Sequence, residues 1–328
     1  MSVVAVTGAS SGIGRAIARA FGARGDKVAL LARGREGLEA AAREIRRAGG
    51  DALALPVDVT DRVMVDSLAD QIVAHYGALD VWVNDAMVSV LGPTEELTAE
   101  ELEQVMRVNY LGTVYGTLAA LRHMRKKNRG VIVQVGSLLA YRSIPMQAAY
   151  CASKAAVRAF TDSLRSELVD EKCDVKLCHL LVPATNTPQF DVMKNKLGAH
   201  AHPMGGVIYQ PEVIADACLY VVDNPCRELA IGPKTLQALI GQKLAPGLLD
   251  RWLARRAKVA QVTHALPPPK KNNLLAPLPG DRGAHGSFDD EARASSVQLW
   301  ARMHLKGLAA GVLSAVTAGL LFRRWRKQ

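Results

Sequence analysis

The chain has 328 residues, enough for one α/β domain and an appendage, and 49% of them are hydrophobic but only 5% aromatic. The formal net charge of +10 is concentrated at the end, because residues 250–328 hold 14 Lys and Arg against 5 Asp and Glu. This distribution excludes a strongly basic body. The 5 cysteines have no CxxC spacing, so we expect reduced thiols and no metal site.

Apolar runs and helical periodicities alternate along the chain. This alternation predicts an α/β fold, a doubly wound parallel sheet of the Rossmann type with helices on both faces. The first apolar run begins at Val3 without a preceding basic region, so we expect no signal peptide and a cytoplasmic body. The predicted strands are 3–6, 27–31, 52–57, 79–84, 130–136 and 175–182, and the predicted helices are 12–24, 35–48, 61–76, 99–127 with a break near Asn109, 148–171 and 211–223.

Three parts of the chain differ in character. Residues 1–245 carry the alternating pattern and are expected to form a single catalytic domain, in which segment 184–208 has weak periodicity and is a candidate lid. Residues 246–290 combine a basic helical stretch with a Pro-, Gly- and Asn-rich stretch, which predicts an extended linker. Residues 291–328 predict a helical tail that contains the uncharged apolar run 307–322.

A glycine-rich turn, Thr7-Gly8-Ala9-Ser10-Ser11-Gly12-Ile13-Gly14, follows the first predicted strand and opens the first predicted helix. Glycines let the backbone turn tightly and approach a pyrophosphate, and the helix N-terminus offers free N–H groups and a positive dipole end. The strand–turn–helix context favours a dinucleotide site over a turn that binds nothing. We expect the cofactor contacts to come from Gly8, Ser10, Ser11, Gly12, Ile13 and Gly14.

The end of the second predicted strand indicates which cofactor binds. NAD sites usually place Asp or Glu there for the ribose 2′-hydroxyl, whereas a cation suits a 2′-phosphate. This chain reads Ala32-Arg33-Gly34-Arg35, without a carboxylate. Arg33 is therefore predicted to clamp the phosphate of NADP(H), with a solvated loop charge as the alternative.

A tyrosine and a lysine lie one turn apart at the start of a predicted helix, in Tyr150-Cys151-Ala152-Ser153-Lys154. A neighbouring ammonium favours the phenolate, so we expect Lys154 to lower the pKa of Tyr150 toward working pH. Ser137 ends the fifth predicted strand, where open α/β sheets bind ligands. A lone YxxxK is common on helix faces, but together with Ser137 and the glycine turn it predicts an active site.

Together these residues resemble the short-chain dehydrogenase/reductase family of TGxxxGIG and YxxxK type, over about residues 1–240. The glycine turn is similar to its TGxxxGIG element. Three further matches concern the cofactor: Asp58-Val59 resembles the pair that contacts adenine, Asn84 lies in the NNAG element, and Pro183 through Thr187 resembles the PGxxxT segment at the nicotinamide carboxamide. The remaining matches concern catalysis. Asn109 resembles the tetrad Asn that supports a proton-relay water, and Ser137, Tyr150 and Lys154 match the rest of the tetrad.

Two positions depart from the family pattern. The NNAG element reads Asn84-Asp85-Ala86-Met87, and the PG pair reads Pro183-Ala184. Both changes alter loops around the cofactor, and neither removes a reacting group.

The resemblance implies an NADP(H)-dependent oxidoreductase that interconverts an alcohol and a ketone or aldehyde. In it Tyr150 transfers the proton, Lys154 also binds the nicotinamide ribose, and Ser137 steadies the developing oxyanion. It also implies a homo-oligomer. A Rossmann-fold scaffold without turnover and a membrane-tethered binding protein are the alternatives. Leu138, Leu139, Tyr141, Met146 and segment 184–208 are expected to line the substrate pocket, which favours an apolar substrate.

The apolar run 307–322 would extend about 24 Å as a helix, against about 30 Å for a bilayer core. If the run spans a membrane, Arg323, Arg324, Arg326 and Lys327 must cross it, which the positive-inside tendency opposes. A spanning helix, a helix in the membrane interface and a helix packed on protein therefore remain open. We expect a membrane, and no nucleic acid, as the partner of this tail.

Overall fold

A seven-stranded parallel sheet forms the centre of the protein, as seen in a computed structural model that describes residues 1–267 and 269–305. The strand order is β7-β6-β5-β4-β1-β2-β3, so the order reverses between β1 and β4, where open sheets bind ligands. The strands are β1 (Val3–Thr7), β2 (Lys27–Ala32), β3 (Asp51–Pro56), β4 (Val81–Asn84), β5 (Gly130–Val135), β6 (Val175–Leu181) and β7 (Glu228–Ala230).

Helices cover both faces of this sheet. Alternate residues of β1 point to opposite faces, so Val4 and Val6 pack in one core with Ile17, while Val3 and Ala5 pack in the other with Ile72. The predicted doubly wound α/β fold is therefore confirmed. The helices are α1 (Gly12–Ala23), α2 (Arg35–Arg47), α3 (Arg62–Tyr76), α4 (Ala99–Met106), α5 (Gly112–Lys127), α6 (Ala148–Asp170), α7 (Pro211–Asp223), α8 (Pro233–Leu244), α9 (Pro246–Ala260) and α10 (Val297–Met303).

The structure adds several elements to those that the sequence predicted, among them a single helical turn at Gln189–Val192. The edge strand β7 and helix α8 were missed, because three residues are too few to show a pattern and α8 buries only Thr235. The expected break near Asn109 is a single π-helical turn, Arg107–Leu111, between α4 and α5. Such turns often occur at functional sites.

The candidate lid, 184–208, is attached to the body by short pairings rather than by a long element. Lys194–Asn195 pairs with Val90–Leu91, and His200–Ala201 pairs with Val262–Thr263. The lid also carries Lys194 and Lys196, whose ammonium groups lie 2.6 and 2.8 Å from the buried carboxylate of Glu101 in α4. These two ion pairs therefore fix the lid to α4.

The Pro- and Gly-rich stretch after α9 does not extend away from the body. Residues 272–288, which we call the arm, pack along the carboxyl edge of the sheet, and Leu274, Ala284 and Phe288 are buried there. After the arm, Ala292–Arg293 pairs with Ile208–Tyr209. The expectation of an extended linker therefore fails for the arm, because apolar side chains within it find partners on the body. The three-part division of the chain stays a prediction.

The predicted helical tail is only partly described. Helix α10 lies within it and buries Leu299 in the core beside α7. The apolar run 307–322 and the basic residues beyond it lie outside the described residues. Among residues 1–267 and 269–305, no helix is long and apolar enough to cross a membrane.

Candidate active site

A cavity of about 310 Å³ lies along the carboxyl edge of the sheet. Residues that follow six neighbouring strands line it, because the ends of parallel strands meet at one edge. Thirteen of the sixteen predicted catalytic and cofactor-binding residues are among the lining: Gly8, Ser10, Ser11, Gly12, Ile13, Arg33, Asp58, Val59, Ser137, Tyr150, Lys154, Pro183 and Thr187.

Two positions of the glycine turn, Gly8 and Gly14, leave no room for a side chain. Gly8 has a φ of +71°, and a Cβ there would lie 2.9 Å from the backbone nitrogen of Ala86. A Cβ on Gly14 would lie 2.6 Å from the carbonyl oxygen of Gly8. Ser11, the N-cap residue of α1, makes no capping hydrogen bond with its side chain, so this side chain does not occupy the N–H groups at the start of the helix. This cradle fits the pyrophosphate of a dinucleotide.

Three predicted site residues do not line the cavity: Gly14, Asn84 and Asn109. Gly14 packs behind the turn. The amide of Asn84 is buried, accepts from Trp82 Nε1 at 2.8 Å and donates to Thr117 Oγ1 at 3.0 Å and Gln134 Oε1 at 2.9 Å. Asn84 therefore joins β4 to β5 and α5 beneath the site.

Asn109 holds the backbone beside the cavity. Its Oδ1 accepts from Val88 N at 2.8 Å, and its Nδ2 donates to Val88 O and to Ser153 Oγ, both at 3.0 Å. Ser153 lies between Tyr150 and Lys154 in α6. Asn109 thus ties the segment after β4 to the helix that carries this pair.

Tyr150, Lys154 and Ser137 meet at one end of the cavity. The ammonium of Lys154 is buried, donates to Val135 O at 2.8 Å and lies 5.7 Å from the centre of the Tyr150 ring. Ser137 lies two residues after the end of β5 and begins a short turn, where its Oγ accepts from Leu139 N at 3.0 Å. The sequence spacing therefore brought these three side chains together as expected.

The pKa of Tyr150 departs from the expectation. Burial raises the pKa of Tyr150 above the usual value, and the nearby hydroxyl of Ser137 opposes this only in part. The expectation that Lys154 lowers the pKa is wrong for this arrangement. The ammonium faces the ring and the Val135 carbonyl, and burial lowers the pKa of Lys154 itself.

Asp85, the second position of the altered NNAG element, also lines the cavity. Its carboxylate lies close to the glycine turn, since Oδ2 would be 2.8 Å from a Cβ on Gly14. Burial raises the pKa of Asp85, and the charge of Lys154 opposes that rise. Asp85 therefore places a second titratable group inside the cavity, close enough for the charge of Lys154 to affect its pKa.

Arg33 lies at the opposite end, after β2. Burial lowers the pKa of its guanidinium, and the nearby carboxylate of Asp58 opposes this. Its Nη1 donates to Leu275 O at 3.1 Å and its Nη2 to Asn273 O at 2.7 Å. Arg33 is thus a fixed, half-buried group rather than a solvated loop charge.

Apolar side chains form much of the cavity lining. Leu138 and Leu139 are among them as expected, but Tyr141 and Met146 are not. The Tyr141 hydroxyl hydrogen-bonds to Glu228 instead, and Met146 packs against Met193 of the lid. The other apolar residues of the lining include Met87, Val88, Ile144, Phe190, Val192, Met193 and Met204.

Sequence reasoning missed a set of lining residues from the arm. A Pro-, Gly- and Asn-rich composition is typical of linkers and gave no sign of this position. The arm residues at the cavity are Asn273, Pro277, Leu278, Gly280 and Arg282.

The fold and the cleft define a dinucleotide-binding α/β protein of the Rossmann type. A sequence model of the short chain dehydrogenase family matches residues 2–196, and the chain belongs to this family of oxidoreductases, which bind nicotinamide cofactors.

Three comparisons show how far the likeness extends. An uncharacterized oxidoreductase, YxnA, from Bacillus subtilis (strain 168) is 30% identical over 97% of this chain and 88% of that protein. An alcohol dehydrogenase from the archaeon Thermococcus sibiricus, complexed with 5-hydroxy-NADP, matches with a TM-score of 0.61 and 29% identity, over 70% of this chain and 96% of that one. A single-residue variant of the actinorhodin polyketide ketoreductase, with NADPH, matches with a TM-score of 0.62 and 28% identity, over 70% of this chain and 95% of that one.

Proposed function

We propose that this protein is an NADP(H)-dependent oxidoreductase that interconverts an alcohol and a ketone or aldehyde on an apolar substrate. The observation that carries the proposal is one cavity with the glycine turn in its middle, Arg33 at one end and Ser137, Tyr150 and Lys154 at the other. A dinucleotide stretched across the strand-order reversal would reach both ends.

Arg33 supports NADP(H) over NAD(H). Its two hydrogen-bond acceptors within the described residues are neutral carbonyls, so its charge is not cancelled by direct pairing. A guanidinium has five N–H donors, which leaves donors for a phosphate. The two solved relatives with NADP-type cofactors support the same choice.

The catalytic proposal assigns proton transfer to Tyr150. The bound cofactor supplies or accepts the hydride. Because burial raises the pKa of Tyr150, its hydroxyl keeps its proton at neutral pH, the form that protonates a carbonyl oxygen. Ser137 holds the same oxygen, and Lys154 places a positive charge beside the ring. Tyr150 can therefore give this proton to a carbonyl oxygen in reduction and take it back from an alcohol in oxidation.

The apolar part of the cavity lining supports an apolar substrate. It includes Met87, Phe190, Met193 and Met204, and methionine adapts to ligands of different shape. Apolar lining with few polar groups is usual for sites that bind small organic molecules.

A screen of carbonyl substrates against NADPH oxidation tests the proposal, with ketones and aldehydes of increasing chain length. We expect turnover that rises with apolar surface and that is lost in Tyr150→Phe. A scaffold would instead bind NADPH but show no turnover with any carbonyl. A homo-oligomer and a cytoplasmic body held at a membrane by residues 291–328 are further parts of the proposal.

A further inference from the structure

The arm, residues 272–288, crosses the open side of the cavity where Arg33 lies. Both of its ends are bound to the lid, where Asn273 N donates to Val192 O at 2.9 Å and Phe288 N donates to Asn186 Oδ1 at 3.1 Å. The two ends of the arm are therefore held in place. Between them the arm passes the N-terminus of α1, where Gly12 N donates to Gly283 O at 3.1 Å.

A buried ion pair fastens the middle of the arm. Arg15 in α1 is 1% exposed, and its guanidinium bonds Glu44 of α2 at 2.7 and 3.0 Å. The remaining side of the guanidinium pairs with the carboxylate of Asp281, with one contact at 3.2 Å. A buried charge needs its partners, so loss of Asp281 leaves Arg15 less well compensated. Glu36 of α2 accepts a further hydrogen bond from Gly280 N.

The arm also fixes the orientation of Arg33. Its carbonyls at Asn273 and Leu275 accept from the two terminal nitrogens of this guanidinium. Arg282, an exposed cation of the arm, lines the same cavity. Two cations therefore face the end of the cavity that lies beside α2.

We infer that the arm is part of the cofactor site: it forms the outer wall over the adenosine end and presents Arg33 and Arg282 to the phosphate groups of NADP(H). This inference rests on the proposed function. The opposite reading is an arm that obstructs the cofactor, because Gly283 occupies an N–H at the helix N-terminus. The interpretation as a wall explains more observations than the interpretation as an obstruction. The arm lines the cavity together with Ser10, Ser11 and Ile13, and the cavity remains open.

Removal of the ion pair tests the role of the arm. In Asp281→Ala we expect the rate constant for NADPH dissociation to rise about tenfold, with little change in the association rate constant, because the contacts of the arm stabilise the bound cofactor and form only after it has entered. Stopped-flow fluorescence, with NADPH displaced by excess NADP, measures both constants. The matched control is Asp290→Ala, since Asp290 is exposed and makes no side-chain hydrogen bond within the described residues.

The two rate constants distinguish a wall from an obstructing arm and from an inert one. A faster association with unchanged dissociation would show an obstructing arm, and no change in either constant would show an inert one; both overturn the inference. If wild-type protein fails to bind NADPH at all, the proposed function itself is wrong.

A second measurement needs no variant, should Asp281→Ala fold poorly. Trypsin cleaves after exposed Arg282 in the arm and after exposed Lys127 at the end of α5. Lys127 precedes the first residue of β5, so it lies at the amino ends of the strands, away from the cavity. We expect saturating NADPH to slow cleavage after Arg282 about tenfold, and cleavage after Lys127 much less, because bound phosphates add to the contacts that already hold the arm. Equal or faster cleavage after Arg282 overturns the inference.

Discussion

The ammonium of Lys154 faces the ring of Tyr150, with Nζ 5.7 Å from the ring centre, and donates to Val135 O rather than lying against the phenol oxygen. The pair is therefore arranged as a charge beside a buried phenol. Within the proposed function, the hydroxyl of Tyr150 is protonated at neutral pH and can donate its proton, and Lys154 is held in a fixed position beside the cofactor.

We expect Tyr150→Phe to lower turnover by about 10²–10⁴-fold, the usual contribution of a positioned acid, and to leave NADPH affinity near normal. The hydroxyl is removed while the ring, which fills the cavity wall, stays. Steady-state kinetics and fluorescence titration measure the two effects. Tyr76→Phe is the matched control, because that hydroxyl bonds Asp51 at 3.2 Å at the end of α3 and should not matter. A mutant that keeps more than about a tenth of the activity would contradict the role of Tyr150.

Arg33→Asp should reverse or abolish the preference for NADPH over NADH. Loss of a charge-assisted bond to phosphate, with repulsion added, predicts a fall in preference of about tenfold or more. kcat/KM with both cofactors gives the ratio. Arg35→Asp, two residues later and well exposed, should keep the wild-type ratio. Equal use of NADH by the wild type would refute the assignment.

Gly14→Ala should weaken NADPH binding, because the added Cβ meets the Gly8 carbonyl at 2.6 Å and forces the turn to move. Overpacking of this kind costs about 1–3 kcal/mol in the free energy of unfolding. Urea denaturation and NADPH titration together measure the effect. Gly247→Ala in α9 is the control, since a Cβ there meets no atom within 4 Å. Equal behaviour of the two variants would rule out the steric explanation.

The charge contact between the lid and α4 predicts a dependence of stability on pH. Burial acts to raise the pKa of Glu101, but hydrogen bonds from Lys194 and Lys196 overcome it and hold the pKa at about 2. A depressed folded-state pKa gives stability that is complete above the unfolded value of 4.5 and is lost as the pH falls through about 2.

Glu101→Gln should therefore lower the free energy of unfolding at pH 7 by about 1–3 kcal/mol, since both ammonium groups lose their partner. The difference from wild type should shrink as the pH is lowered below 4.5, and urea denaturation along a pH series measures it. Exposed Glu103→Gln on the same helix serves as the control. A difference that stays constant with pH would show that the charge of Glu101 is not the cause.

The tail remains a prediction from sequence. We expect full-length protein to fractionate with membranes, and a chain that ends at residue 305 to be released, because the apolar run 307–322 and its flanking cations are then removed. The shorter chain keeps α10, which packs on the body. Alkaline carbonate separates a spanning helix from an interfacial one. Full-length protein that stays in solution without detergent would refute the anchoring.

The spacing of residues along the sequence predicted those parts of the site that are formed by residues close together in the chain. The glycine turn, Arg33 after β2 and the Tyr150–Lys154 pair each depend on residues within one strand–turn or helix unit, so spacing sufficed. The direction of the Tyr150 pKa was missed because spacing gives proximity but not burial.

Long-range contacts account for the rest. The arm was interpreted as a linker since its contacts are made with α1, α2 and β2, far away in sequence, and leave no periodic pattern. Asn84 and Asn109 fall between the two cases. Their positions were found by resemblance, but whether their amides reach the cavity or brace its walls depends on Trp82, Thr117, Val88 and Ser153.

The ion pair between Arg15 and Asp281 joins residues 266 positions apart. During synthesis the chain leaves the ribosome N-terminus first, so α1 and the whole sheet emerge well before the arm. A newly made body can therefore fold around its two cores while the groove beside Arg33 still lacks its outer side. Ribosome-bound chains halted before and after residue 288 would capture the same enzyme on either side of the step that completes its cofactor site.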